Sequence, residues 1–352
     1  MKNLYITGVA GCGKTAIALG IALKMKKEGI KVTYFKPVGS RPKQAGTEDN
    51  DAVLMREILQ MKTDVKQIAP FTAGTSYLSG LKNPETAITS IKEAYQAISA
   101  EADLIIIDGA TFPHVGAAYG LDIISLAPLF NASVLNVIKL ENDLSVDQAI
   151  FFDNNCKSRG LAVTGHIFNN VPRQLLAKTE GVFKPILEKK CCLTLGIIPM
   201  RHEIASPTVS EYYEVLGGEL LVGEDKLDRL VEEVIVGAMT MESALKYMRR
   251  SANKAVVMGG DRADLALSTL ETSTSALILT GGLYPDVKVI SRAAEKGVPI
   301  ILVHYDTYTA IEKISEVSRR ISPGDTTGIK IAAENIEKHC DWKAIMKSLK
   351  EK

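Results

Sequence analysis

No apolar run in this 352-residue sequence approaches the roughly 18 to 20 residues that span a bilayer. The start, Met1 to Gly8, holds too short an apolar stretch for a signal peptide and runs directly into a glycine-rich loop. Neither sign of charge is in excess: 42 Lys and Arg face 41 Asp and Glu, a formal charge of +1. That balance argues against a surface built to coat nucleic acid or an anionic membrane. Aromatics are scarce, at 6% with one Trp, so the 46% hydrophobic content is mainly Ile, Leu, Val and Ala. Such a composition suits parallel strands covered by helices. The five cysteines (Cys12, Cys156, Cys191, Cys192 and Cys340) are odd in number and contain no CxxC. This argues against a disulfide framework or structural zinc site and for the reducing setting of the cytoplasm. The five histidines form no HxxH or HxxxH pair, which leaves a zinc or nickel site little support.

What is present is alternation. Short β-branched runs at Leu4–Thr7, Lys31–Lys36, Leu104–Asp108, Val134–Lys139, Val163–Phe168 and Leu195–Ile198 alternate with amphipathic stretches such as Lys14–Lys27 and Glu85–Ala100. The pattern predicts an α/β fold with a doubly wound, mainly parallel sheet. Around Ser206-Pro207-Thr208 the pattern changes, and Gly217-Gly218 and Gly223 mark turns. A second, smaller α/β alternation follows: strands at Lys254–Met258, Ala276–Thr280 and Ile300–His304, helices at Asp261–Thr269 and Asp286–Lys296. The expected organisation is a first domain over 1–205, a second over 206–330 and a Lys-rich helical tail over 331–352. At 352 residues, two domains are also the expectation from length, since a typical domain has about 150.

Gly8-Val9-Ala10-Gly11-Cys12-Gly13-Lys14-Thr15 fits GxxxxGK followed by Ser or Thr, between a predicted strand and a predicted helix. That is the context a phosphate-binding loop requires. Gly8, Gly11 and Gly13 let successive N–H groups turn inward around an anion, and the helix opening at Thr15-Ala16 aims its positive end at the phosphates. Lys14 is expected at the β- and γ-phosphates and Thr15 on Mg²⁺. Asp108 ends an apolar strand, so it either holds Mg²⁺ in the ligand crevice or caps a turn. Lys36, at a strand end beside Pro37, either points into the same crevice, where it neutralises a phosphoryl group, or is an ordinary surface lysine. Glu48-Asp49-Asn50-Asp51 reads by spacing as an N-cap with acids in the first helical turn. Cys12 sits among loop amides that would lower its pKa and expose it to alkylation. Cys191-Cys192 reads as two buried small hydrophobes.

Together with Tyr34-Phe35-Lys36-Pro37-Val38, Asn50-Asp51-Ala52, Ile106-Ile107-Asp108-Gly109-Ala110, Gly165-His166-Ile167-Phe168-Asn169 and Leu195-Gly196-Ile197-Ile198-Pro199, the loop resembles the dethiobiotin synthetase-like branch of P-loop ATPases, over about residues 1–200. The resemblance implies ATP and Mg²⁺ as cofactors, Asp51 as a second Mg²⁺-associated carboxylate, Asn169 reading the adenine edge and Pro199 on a loop closing over the base. It also implies a homodimer in which the crevice beside Lys36 faces the second subunit. Val9-Ala10-Gly11-Cys12 lacks the acid of dethiobiotin synthetase loops, and Asp108 stands where those enzymes have a Glu, which favours ATP binding over biotin chemistry.

Gly260-Asp261-Arg262 and Thr280-Gly281-Gly282, with Asp306-Thr307-Tyr308, resemble the motif pair of DRTGG domains, over about residues 206–320. Here Asp261 and Arg262 either meet the glycines across neighbouring strand ends, where the Gly281 and Gly282 amides approach an anionic or nucleotide ligand, or form an internal ion pair beside a turn. The two-domain combination is similar to the N-terminal, noncatalytic part of long phosphate acetyltransferases, and the chain ends too early to hold their catalytic domain. The resemblance implies a regulatory protein that binds adenine nucleotide, with an effector-binding or dimerising DRTGG domain and a separate acetyltransferase or other CoA-pathway enzyme as partner. The alternative is a stand-alone ATP-dependent ligase, or slow ATPase, phosphorylating a carboxylate or carbamate.

Overall fold

A computed structural model describes residues 2–40, 48–74, 76–80, 84–100, 102–317 and 319–350. It divides into two compact units, Met1–Arg201 with Ile321–Lys352, and His202–Arg320. No described helix is long and apolar enough to cross a membrane.

The first unit contains β1 (Lys2–Gly8), β2 (Val32–Phe35), β3 (Val38–Ser40), β4 (Phe71–Ala73), β5 (Leu104–Asp108), β6 (Ser133–Lys139), β7 (Val163–Val171) and β8 (Thr194–Pro199). Six of these form one sheet in the order β2-β5-β1-β6-β7-β8, while β3 and β4 pair separately. Every pairing in the larger sheet is parallel. A parallel sheet is covered on both faces, which is why β5 (LIIID) is buried at every position. The order reverses at β1: β2 and β5 lie to one side, β6 to β8 to the other. Ligand crevices open at the carboxyl ends of strands at such a reversal. There β1 runs into the glycine loop and then α1 (Lys14–Lys27). The helix Pro84–Ser99 buries Ala87, Ile91, Ala94 and Ile98, the three- and four-residue spacing of one helical face.

The residues expected as a separate tail pack instead into this first unit. Ala332, Ile336, Ile345 and Leu349 join the same buried cluster as Ile17, Ala18 and Ile21 of α1. Gly196 of β8 bridges to Cys340, and the Asp341 N–H donates to the Leu195 carbonyl at 2.7 Å. Lys24 holds Glu337 at 3.0 Å and lies 4.4 Å from the centre of the Trp342 ring. An amphipathic terminal helix with an apolar stripe has this face to bury, and local sequence does not say against what.

The second unit contains β9 (Glu219–Val222), β10 (Glu233–Val236), β11 (Lys254–Gly259), β12 (Thr274–Thr280) and β13 (Ile300–Leu302), in the order β10-β11-β12-β13-β9. Only β9 is antiparallel. Period-two alternation sends Val256, Met258, Leu277, Leu279, Ile300 and Leu302 to one face, against the helices Ala263–Leu270 and Val287–Lys296. Ala255, Val257, Ala276, Ile278 and Ile301 go to the other, against Val209–Leu216 and Thr307–Ser315. Thr208 opens the first of these helices with a capping box to Glu211. The predicted helix start at Asp261 moves to Ala263, because the Arg262 N–H is turned back onto the Gly259 carbonyl at 3.2 Å.

Helix α1 meets Thr326–His339 at Gly20, where an added Cβ would lie 2.3 Å from the Ala332 carbonyl oxygen. In an exposed helix interior, Gly→Ala stabilises by roughly 0.5–1 kcal/mol. Here the sign reverses: Gly20→Ala is expected to lower the melting temperature, read by calorimetry, as overpacking costs of about 1–3 kcal/mol dictate.

Candidate functional site

The loop from Gly8 to Thr15 lies over the carboxyl end of β1. Gly11 (φ 66°) and Gly13 (φ 84°) adopt left-handed conformations, and Gly13 caps α1. Lys14 Nζ donates to the carbonyls of Gly8 and Val9, each at 3.1 Å, and to that of Thr111 at 3.4 Å. Ala16 is half-buried in the first turn of α1. Asn169, 4% exposed near the end of β7, donates from Nδ2 to the Cys12 carbonyl at 2.8 Å. It packs so closely that a Cβ at Gly13 would lie 2.3 Å from that nitrogen. Pro199 is the last residue of β8, paired with Val171, and so lies on a strand rather than on a loop. The expectation for Cys12 is corrected: it is 1% exposed, and burial pushes its thiol pKa up while Lys14 opposes only in part. Cys191 is exposed and only Cys192 buried, which corrects the reading of that pair.

Beside the loop is a buried charge cluster. Asp108, 1% exposed at the end of β5, accepts on Oδ2 from Thr15 Oγ1 at 3.1 Å and Tyr34 Oη at 2.8 Å. Its Oδ1 is buried with no hydrogen-bond partner among the described residues. Burial raises the Asp108 pKa, Lys36 lowers it, and the like charge of Asp51 raises it further. Tyr34, unrecognised from sequence beyond its place in the resemblance, is held neutral by burial and by Asp108. Lys36, the residue after β2, is 5% exposed and paired with Asp51 and with Asp49 at 3.2 Å. Burial opposes its charge, but Asp51, Asp49 and Asp108 outweigh it and raise its pKa. Asp49 also caps α2 (Asn50–Leu59), accepting from the N–H groups of Asp51 and Ala52 at 3.1 and 3.0 Å. The N-cap reading of this acidic stretch thus holds at Asp49, and the same side chain also pairs with Lys36. A buried carboxylate with a bare oxygen, next to a threonine hydroxyl and a second carboxylate, is an oxygen donor set suited to a hard divalent cation. A cavity of about 530 Å³ opens beside Gly8 and Val9, lined by Phe112, Ile123, Asn136, Lys139 and Phe152 among others.

In the second unit the two motif segments do meet at neighbouring strand ends: Gly259 pairs with Thr280, and the Gly260 N–H points at the Thr280 carbonyl at 3.4 Å. The glycine amides are spent within the chain. Gly281 donates to the Tyr305 carbonyl and Gly282 to that of Val303, each at 2.9 Å, so they do not present an anion-binding concavity. Thr280 shares a hydrogen bond with Thr307 at 2.8 Å. Arg262 reaches the Met239 carbonyl at 3.3 Å and lies 3.8 Å from Asp264, while Asp261 is exposed.

A parallel α/β sheet whose central strand ends in a glycine loop, a lysine and a threonine aligned with a buried strand-end aspartate defines a P-loop nucleotide-binding domain. The AAA domain family matches residues 2–208, more than half of the chain, and the chain belongs to that family. A DRTGG domain matches residues 211–317. The phosphate acetyltransferase of Nitratidesulfovibrio vulgaris is 26% identical over 362 residues, covering 97% of this chain and 50% of that protein. That of Pseudomonas putida is 24% identical over 353 residues, covering 94% and 49%. The ATP-dependent dethiobiotin synthetase of Akkermansia muciniphila is 30% identical over 177 residues, covering 49% of this chain and 79% of that enzyme. The chain thus spans about half the length of the phosphate acetyltransferases it matches. Both resemblances read from the motifs are borne out.

A raised carboxyl pKa means that the ionised form is disfavoured by folding, a contribution that grows as pH rises through the folded pKa. Asp108→Asn keeps an acceptor for Thr15 and Tyr34 without that charge. Ligand-free Asp108→Asn is therefore expected to melt above the wild type at pH 8, with the difference shrinking toward pH 4, by scanning calorimetry.

Proposed function

We propose that this chain is a regulatory protein that binds Mg-ATP in its first unit and reports to a partner in acyl-phosphate or CoA metabolism. One observation carries the nucleotide reading: Thr15 Oγ1 and Asp108 Oδ2 lie 3.1 Å apart at the mouth of the glycine loop, with Asp108 Oδ1 unpartnered among the described residues. The loop amides and the start of α1 would hold the phosphates. Lys14, resting on loop carbonyls, would turn to the β- and γ-phosphates. Thr15, Asp108 and Asp51 would hold Mg²⁺, which supplies charge neutralisation when bound. Asn169, whose nitrogen pins the Cys12 carbonyl, would offer its amide oxygen to the base, and Pro199 would border the base. The pairing of this domain with a DRTGG domain, along nearly the whole of the match to phosphate acetyltransferases, supports the regulatory assignment. The second unit would bind an effector or dimerise, with Asp261, Arg262 and Thr280 as its working groups and the glycines as scaffold. A homodimer facing the crevice beside Lys36 belongs to the same proposal.

A second reading is an ATP-dependent ligase that phosphorylates a carboxylate or carbamate. The cavity beside Gly8 and Val9 and the relation to dethiobiotin synthetase favour it. Lys36 would then neutralise the transferred group, positioning and charge being most of what phosphoryl transfer demands.

Mg-ATP at about 100 times its dissociation constant is expected to stabilise the protein by about 2.7 kcal/mol. Thermal shift would read this, with the shift abolished in Lys14→Ala and made Mg²⁺-independent in Asp108→Asn. An unchanged shift in Lys14→Ala would sink the nucleotide assignment. Altered activity of a separately added acetyltransferase supports regulation; ADP release that rises many-fold with a small carboxylate or amine supports the ligase.

A further inference from the structure

Behind the β6–β7 pair, three metal-ligating side chains from three elements converge. Asp153 comes from the helix Leu144–Ser158, His166 from β7, and Cys192 from the turn between the helix Lys184–Lys189 and β8. All three are buried, and their ligand atoms lie within 4.8 Å of one another, the one such group among the described residues. His166 Nε2 is 3.2 Å from Asp153 Oδ1. We propose that Asp153, His166 and Cys192 form a binding site for a zinc ion, separate from the nucleotide loop.

The donor set selects the metal. One imidazole nitrogen, one thiolate and one carboxylate oxygen match Zn²⁺, which accepts mixed N, S and O ligands in a tetrahedron. Mg²⁺ and Ca²⁺ need several oxygens, and this cluster offers one carboxylate. Bond lengths of about 2.0–2.3 Å put tetrahedral ligand atoms roughly 3.3–3.8 Å apart, so atoms within 4.8 Å of one another need close by at most about 1.5 Å. The surrounding groups suit this. Asp153 divides its oxygens: Oδ1 faces His166, while Oδ2 takes Lys157 Nζ at 2.6 Å. Lys157 also donates to the Cys191 carbonyl at 2.8 Å, which fixes the turn that carries Cys192. The lysine can therefore stay in place when Oδ1 binds metal.

On the far side of the ring, Asn136 meets His166 Nδ1 at 3.2 Å. In the metal-free arrangement the amide nitrogen donates to Nδ1 and the Nε2 proton faces Asp153. Metal binding at Nε2 moves the ring proton to Nδ1, where the Asn136 amide, turned over, accepts it. The balance is one proton released to solvent, from the Cys192 thiol. The resulting site would tie the helix Leu144–Ser158, β7 and the start of β8 together.

The test is a Co²⁺ titration of the chelator-treated full chain, followed by absorbance and back-titrated with Zn²⁺. One equivalent is expected to give a thiolate-to-cobalt charge-transfer band that Zn²⁺ abolishes, and saturating Zn²⁺ to raise the melting temperature. Cobalt bound to the oxygen ligands of the nucleotide site gives no such band. Cys192→Ser and His166→Gln should lose it, Cys191→Ser should keep it, and Asn136→Ala should weaken affinity about 10–100-fold. A wild type without the band, or a band that survives Cys192→Ser, overturns the site and leaves a hydrogen-bonded network. Should the variants misfold, the wild type decides: one proton released per Zn²⁺ bound, read in weakly buffered solution, supports the site, and Zn²⁺ addition without proton release refutes it.

Discussion

The first unit depends on one costly arrangement: a carboxylate buried at the end of an apolar strand. Asp108 is pulled out of water by the β5 run that precedes it, and a lone ionised carboxylate there would be expensive. Its neighbours answer that cost in part. Thr15 and Tyr34 donate to one oxygen, and the ammonium groups of Lys36 and Lys14 lower the pKa that burial raises. Asp49 and Asp51 in turn hold Lys36. Three carboxylates against two lysines leave one negative charge in excess, beside a bare carboxylate oxygen. A site so arranged favours a cation, and the glycine loop next to it favours the anion that such a cation accompanies. Stability and ligand binding thus pull on the same residues in opposite directions, the usual condition of a functional site.

The second unit solves a different problem. Its parallel strands also end in a loop cluster, but the backbone groups there are consumed by the fold. Gly281 and Gly282 bond to the following turn, and Thr280 bonds to Thr307. The motif that distinguishes this domain by sequence is thus substantially a device for joining β12 to the turn after β13. What remains available to a ligand or another subunit is side-chain chemistry, chiefly Asp261 and the partly exposed Arg262.

Much of the molecule was legible because the relevant physics is local. The strand β5 and the helix α1 fall at the residues their periodicity implied, since a parallel strand must be apolar throughout and an N-terminal helix needs its glycine-rich entry. The loop was legible because its chemistry requires consecutive residues. Boundaries slipped where a turn was fastened by an unforeseen hydrogen bond, as at Arg262. The thiol of Cys12 departs from what its loop implies, because the loop amides near it are visible in sequence and the burial that outweighs them is not.

The sequence by itself determined the two alternating patterns, the phosphate loop and the pairing of a P-loop domain with a DRTGG domain, all properties of neighbours along the chain. Only the tertiary structure decided that the terminal helices close the first unit, that Asp49 serves both α2 and Lys36, and that Tyr34 leans on Asp108. It alone brought Asp153, His166 and Cys192, which no short spacing links, into one buried group. The reason is common to all of these. Parallel strands separated by helices place distant segments side by side, and side-chain contacts across that sheet carry no signature in the spacing of either segment.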